Sequence, residues 1–157
     1  ITEVAKSKSF DKYSSNEALI KYFAMKYIYA RESYNYLQMQ GNTNIVSILS
    51  AGDVRNLYFT SISPKNPASP LNVFGTVVER NVELNSFTFL NNKKGESTVQ
   101  AKLQVTEQPQ NRYPKVYNIQ VTMSAAFNPN YNLTPKQRII NPLGFIVLSY
   151  RADKYEN

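Results

Sequence analysis

The sequence predicts an α+β domain with its helices first and its strands after, and three observations carry that reading. Apolar residues recur at helical spacing from residue 20 onward; a three-proline segment at 63–70 interrupts the chain; beyond it the apolar period changes to strict alternation. A chain of 157 residues with 42% hydrophobic and 13% aromatic residues has enough apolar surface to form one self-sufficient core.

Residues 1–13 are polar, Lys-rich and aperiodic, which predicts a linker or arm. Ser14-Ser15-Asn16-Glu17 has the spacing of a capping box, with a hydroxyl placed for the amide three residues on and a carboxylate placed to reach back. Ile20, Phe23, Tyr27, Ala30, Tyr34 and Leu37 then trace one stripe, so a helix is expected over 15–40, stopped by a left-handed Gly41. Ser50-Ala51-Gly52-Asp53 repeats the box with Asp53 as its carboxylate, which predicts two short helices at 43–50 and 51–61. The prolines at 64, 67 and 70 each remove a donor and restrict the preceding residue, so 63–70 is expected to be a loop.

Val78, Arg80, Val82 and Leu84 alternate with Glu79, Asn81 and Glu83, and the run continues through Ser86-Phe87-Thr88-Phe89-Leu90 as one strand bent near Asn85. Asn91 to Gly95 reads as a turn. Val99, Ala101, Leu103 and Val105 mark a second strand, Tyr117 to Phe127 a third, and residues 145–151 a fourth. With no helical period between them, the strands predict a four-stranded antiparallel meander whose concave face the long helix covers. Asn141-Pro142-Leu143-Gly144 has turn chemistry suited to aim the last strand, with Pro at i+1 and Gly at i+3.

The absence of Cys and His excludes thiol and imidazole catalysis and the usual zinc, haem and iron–sulfur ligand sets. The three Asp (Asp11, Asp53, Asp153) fall at the arm, a helix start and a strand end, where capping or surface roles explain them. Glu79 and Glu83 lie on the polar parity of their strand and point to solvent. Arg31 and Glu32 flank the buried stripe, so one of them is expected to pair inside, as a helix-to-sheet ion pair or hydrogen bond; a lone pair with no nucleophile beside it does not make an active centre. No glycine-rich phosphate loop exists. A net charge of +7 is dispersed, with no run of five like charges, and reads as a solvated surface.

Tyr22, Tyr29 and Tyr36 recur every seven residues on a side away from the stripe. They form either a ridge for a weak two-fold homodimer or a face covered by neighbouring loops.

Several of these segments together resemble one family: Tyr27-Ile28-Tyr29-Ala30-Arg31-Glu32-Ser33-Tyr34-Asn35, Ser50 through Tyr58, Asn66-Pro67-Ala68-Ser69-Pro70-Leu71 with Phe74-Gly75, Ser86-Phe87, and Asn141-Pro142-Leu143-Gly144-Phe145-Ile146-Val147 ending in Ser149-Tyr150-Arg151-Ala152-Asp153. They are similar, from Asp11 to Asp153, to the periplasmic domain of the bitopic inner-membrane assembly protein of VirB-type type IV secretion systems, the eighth component. Phe74, where the family usually has Tyr, and the lack of a third-strand Trp are mild departures. The resemblance implies a nuclear-transport-factor-2-like cone at 14–153, with an arm before it and a tail at 154–157. It implies a membrane anchor upstream of Ile1 and a periplasmic location in a bacterium. It further implies a nonenzymatic, cofactor-free role in self-association as a dimer and in contacts with other channel subunits. Arg31, Glu32, Tyr34, Asn141, Pro142, Gly144 and Tyr150 are the motif positions expected to serve the fold or partner contacts. Because the same cone also hosts isomerases and dehydratases, an enzyme is the alternative; a single-strand nucleic-acid module ranks below both.

Overall fold

A computed structural model describes residues 13–93 and 95–156; the arm proposed for 1–13 lies, apart from Tyr13, outside them. Helices α1 (Ser15–Glu32), α2 (Met39–Leu49) and α3 (Gly52–Ile62) and the short α4 (Pro70–Phe74) precede strands β1 (Val78–Lys93), β2 (Glu96–Pro109) and β3 (Lys115–Phe127). A short α5 (Pro135–Ile140) leads into β4 (Phe145–Tyr155). The sheet is an antiparallel meander in sequence order.

Ser14 caps α1 as the capping box requires: its Oγ accepts from the Glu17 amide at 3.1 Å and its own amide donates to Glu17 Oε1 at 3.0 Å. The stripe of Ile20, Phe23, Tyr27 and Ala30 is buried against Val99, Ala101, Leu103, Val105, Val121 and Met123, the inward parity of β2 and β3. Phe23 stacks on Phe145 at 5.5 Å and meets Phe127 edge-on at 6.0 Å, so aromatic rings fill the space between helix and sheet. The bend expected near Asn85 is a register shift between Leu84 and Ser86.

The expected single helix over 15–40 is two. α1 ends at Glu32, Ser33 is extended, and Tyr34 exchanges both backbone hydrogen bonds with Arg80 at 2.8 Å, an isolated antiparallel bridge on the edge of β1. The apolar spacing runs on past this break, so periodicity alone does not register it. As a result Leu37 is 88% exposed instead of buried, and Tyr36 is not on the helix that carries Tyr22 and Tyr29.

Gly41 lies inside α2 and does not take the left-handed conformation of a stop. The second capping box does not form either. The N-cap of α3 is Ala51 with no side-chain hydrogen bond, Asp53 sits in the first turn, and the Ser50 hydroxyl is engaged elsewhere. α4 starts with Pro70 at its first turn, and α5 carries its own capping box from Thr134 to Gln137; each is too short to leave a period in the sequence. β4 runs to Tyr155, so Lys154 and Tyr155 belong to the sheet and not to a tail.

Candidate functional sites: a buried polar relay, a rim turn and an aromatic groove

The C-terminal end of α1 brings Arg31 and Glu32 over the sheet, where two strands supply partners. Glu32 Oε2 accepts from the Tyr150 hydroxyl of β4 at 2.6 Å, and Oε1 lies 3.4 Å from Arg80 Nη2 of β1. This is the helix-to-sheet pairing expected of one member of the Arg31/Glu32 pair. Arg31 lays its guanidinium over the Tyr150 ring at 4.0 Å and the Tyr58 ring at 5.2 Å, and donates to the Tyr27 hydroxyl at 2.9 Å. Ser50 Oγ donates to the Val46 carbonyl at 2.7 Å, so the 2.8 Å contact between Tyr27 and Ser50 has Tyr27 as donor. The relay therefore runs in one direction, Arg31 to Tyr27 to Ser50 to Val46, and the phenol's single proton is committed. Burial, then the Glu32 carboxylate, hold the Tyr150 phenol well above its ordinary range, so it stays a donor.

Arg31, Glu32, Arg80 and Tyr150 thus converge beside an open cleft that is also lined by Asn66 and Pro70. Convergence of ionisable groups is what a catalytic centre would need, yet here each has another as its partner. Both Glu32 oxygens are engaged, the Arg31 guanidinium is stacked and bonded, and the Arg80 guanidinium faces Glu32. Among the described residues no three acidic side chains group to hold a metal ion.

Further out on the same sheet face, Tyr117 of β3 donates to Glu107 of β2. Burial and that carboxylate push the phenol up to about 12 from 10.0. Because the folded value lies above the unfolded one, this contribution to stability is complete below pH 10 and is lost as pH rises through 12. Tyr117→Phe is expected to remove the phenolate absorbance change near pH 12 and to flatten the fall in stability between pH 10 and 12. Both are measurable by ultraviolet titration and urea melts.

Tyr34 is buried and donates to the Gly75 carbonyl at 2.6 Å with its ring against Phe74 at 5.4 Å, so it ties α1's exit to α4. The rim turn behaves as its residues dictate. Asn141 is fully buried, and its side chain brackets Phe145, accepting from the Phe145 amide at 2.8 Å and donating to the Phe145 carbonyl at 2.9 Å. Pro142 is exposed at the apex. Gly144 has φ +65 and its carbonyl accepts from the Asn128 amide at 2.7 Å.

On the outer side of α1, Tyr22 (60% exposed) and Tyr29 (41%) border an open apolar groove with Tyr13, Met25, Lys21 and Lys26. Tyr36, 49% exposed, lines a different hollow with Leu37, Val77 and Pro109, so the three tyrosines do not form one ridge. The sequence suggested a capping role for Ser50 instead of its part in the relay, and it assigned no role to Arg80 or Arg55. Arg80 carried a signal, a charge on the apolar parity of its strand. Arg55 carried none: it caps α2 by donating to the Ser47 and Ser50 carbonyls at 2.9 and 2.7 Å.

A helix-covered cone of antiparallel strands, its interior closed by aromatic rings, has the nuclear-transport-factor-2-like fold. The pattern of the VirB8 protein family matches residues 1–155, and the chain belongs to that family. It is 29% identical over 138 residues to the type IV secretion system protein virB8 of Bartonella quintana, covering 88% of this chain and 56% of that protein. It is 30% identical over 142 residues to the type IV secretion system protein PtlE of Bordetella pertussis, covering 90% and 59%. The chain therefore spans somewhat more than half the length of these relatives. Its fold matches the structure of Agrobacterium tumefaciens VirB8 with a TM-score of 0.80 at 24% identity, over 92% of this chain and 96% of that one. It also matches the soluble domain of TrwG from Bartonella grahamii, with a TM-score of 0.78 at 22% identity over 92% and 99%. No helix among the described residues is long and apolar enough to cross a membrane.

Proposed function

We propose that this domain is an assembly subunit of a type IV secretion channel, working in the periplasm on a membrane anchor outside the given chain. It self-associates weakly through the Tyr22/Tyr29 groove and touches other channel subunits through the rim that Asn141, Pro142 and Gly144 shape, where Pro142 and Leu143 are exposed. The observation that carries self-association is the groove itself, since two exposed tyrosines, Tyr22 and Tyr29, lie along one helix face and border an open apolar hollow whose floor includes the largely buried Met25. Matching this face to its copy across a two-fold axis removes apolar surface from water on both sides. Lys21 and Lys26 border the groove, so the pairing sets like charges near one another and is weak. Raising the salt concentration screens that repulsion and tightens the dimer, whereas single-strand nucleic-acid binding would weaken with salt. The aromatic filling between α1 and the sheet favours this reading over an enzyme, which would need that space for substrate.

Sedimentation over a concentration series tests the reading. A monomer–dimer equilibrium is expected, and a strictly monomeric chain at the highest concentration overturns it. Tyr29→Ala is expected to weaken the equilibrium about tenfold, as loss of one well-placed aromatic does at an interface. Unchanged association moves the interface to another surface.

A further inference from the structure

The sheet has two outer edges, and the protein treats them differently. The edge of β1 is blocked: Tyr34 pairs with Arg80, Tyr13 donates to the Phe87 carbonyl, and register shifts at Leu84/Ser86 and Phe89/Asn91 twist the strand. On β4 only the start is covered, where the Ala51 amide donates to the Val147 carbonyl at 2.9 Å. From Ser149 to Tyr155 the strand pairs with β3 in unbroken register, and among the described residues no backbone group of this stretch bonds anything on its outer side.

Charged side chains on an edge normally keep copies apart. Here their order does the opposite. Arg151 and Asp153 lie on one face with exposed Ala152 between them, and they bond each other at 2.7 Å. A two-fold axis normal to the sheet and passing between two copies of Ala152 sets residue 151 of one copy against residue 153 of the other. Each Arg151 then faces an Asp153, twice, and each Tyr150 faces a Lys154 on the opposite face. The small Ala152 keeps the crossing point clear. Directly opposed unlike charges favour antiparallel pairing and like charges disfavour it, so the edge is complementary to itself.

We propose that residues 149–155 of β4 pair antiparallel with the same residues of a second copy, joining two four-stranded sheets into one. This interface is separate from the α1 groove; with both in use, copies would join beyond a dimer.

The test uses two charge variants of the 157-residue chain, R151D, acidic at both positions, and D153R, basic at both. Within each variant the intramolecular pair stays repulsive, so rescue on mixing arises only between chains. An affinity-tagged variant is mixed with an untagged one, and co-elution is measured at several concentrations. The mixed pair is expected to associate roughly tenfold more tightly than either variant with itself, while both keep the wild-type melting temperature within a few degrees, as an exposed pair allows. Equal co-elution in every combination overturns the edge pairing and leaves the α1 groove as the interface. Co-elution that both variants lose and no mixture regains also overturns it, because residues 151 and 153 of the two copies then do not face each other.

Discussion

Gly144→Val is expected to destabilise the domain by about 3–5 kcal/mol and to lower its melting temperature by about 6–20 °C, given roughly 2–4 °C per kcal/mol in a chain of this size. Two independent costs add at this position. The φ of +65 lies in the left-handed region, which a β-branched side chain resists. A Cβ built on Gly144 would also stand 1.9 Å from the Asn128 carbonyl oxygen and 2.7 Å from its carbon, and these are backbone atoms that no rotamer change moves aside. Because the Gly144 carbonyl accepts from the Asn128 amide at 2.7 Å, displacing the turn also breaks the tie between the end of β3 and the start of β4. Phe145, fully buried and stacked on Phe23, is misdirected as a result. Gly41→Ala is the internal control: a Cβ there meets nothing within 4 Å inside a helix, so that change is expected to stabilise by about 0.5–1 kcal/mol. Urea melts of both variants check the pair of outcomes. A Gly144→Val protein that melts with the wild type would mean the turn does not hold the strand.

Gly144 also illustrates what a sequence reveals. Asn141-Pro142-Leu143-Gly144 was legible as a turn because turn chemistry is local, but the carbonyl that forbids a side chain belongs to Asn128, on the far side of α5. The strands and their parity were legible for the same reason: alternation is a property of neighbours, and the inward set from Val99 to Val105 is buried as the pattern requires. The break after Glu32 was not, since Tyr34 leaves the helix for the main chain of Arg80, a residue of β1, and keeps its place in the apolar spacing while doing so. Ser50 shows the same competition. Its spacing to Asp53 suits a cap, but Tyr27 and the Val46 carbonyl claim its hydroxyl from inside the core. At the polar relay Glu32 stood out beside the stripe, whereas its strand partners follow from how β1 and β4 lie across the sheet. The odd parity of Arg80 hinted at one of them, and Tyr150 came only with the family motif.

That relay yields the second large effect. Glu32→Ala is expected to cost about 3 kcal/mol, the lower end for breaking a mostly buried ion pair, because Arg80 retains some exposure. The cost is set less by the lost attraction than by what remains. Arg80 already has a buried Nε without a hydrogen-bond partner, so removing Glu32 takes away the carboxylate in ion-pair contact with the guanidinium and leaves only its cross-strand neighbour Glu107, beyond ion-pair distance. The Tyr150 hydroxyl loses its acceptor at the same step, and an unpaired buried donor carries its own desolvation cost. Glu32→Gln keeps an oxygen for Tyr150 and removes the charge, so it should fall between wild type and Glu32→Ala. The decisive variant is the double replacement Glu32→Met with Arg80→Met, which removes both charges and refills the volume; it should recover most of the loss, since apolar substitutes for a buried pair are often neutral or better. A double variant as unstable as Glu32→Ala would place the cost in packing and not in the stranded charge. Alkaline titration of Glu32→Gln, which keeps the side-chain volume, reads the effect of the carboxylate charge itself. With Glu32 gone, burial still raises the Tyr150 phenol but the carboxylate no longer does, so its phenolate should form at lower pH than in the wild type.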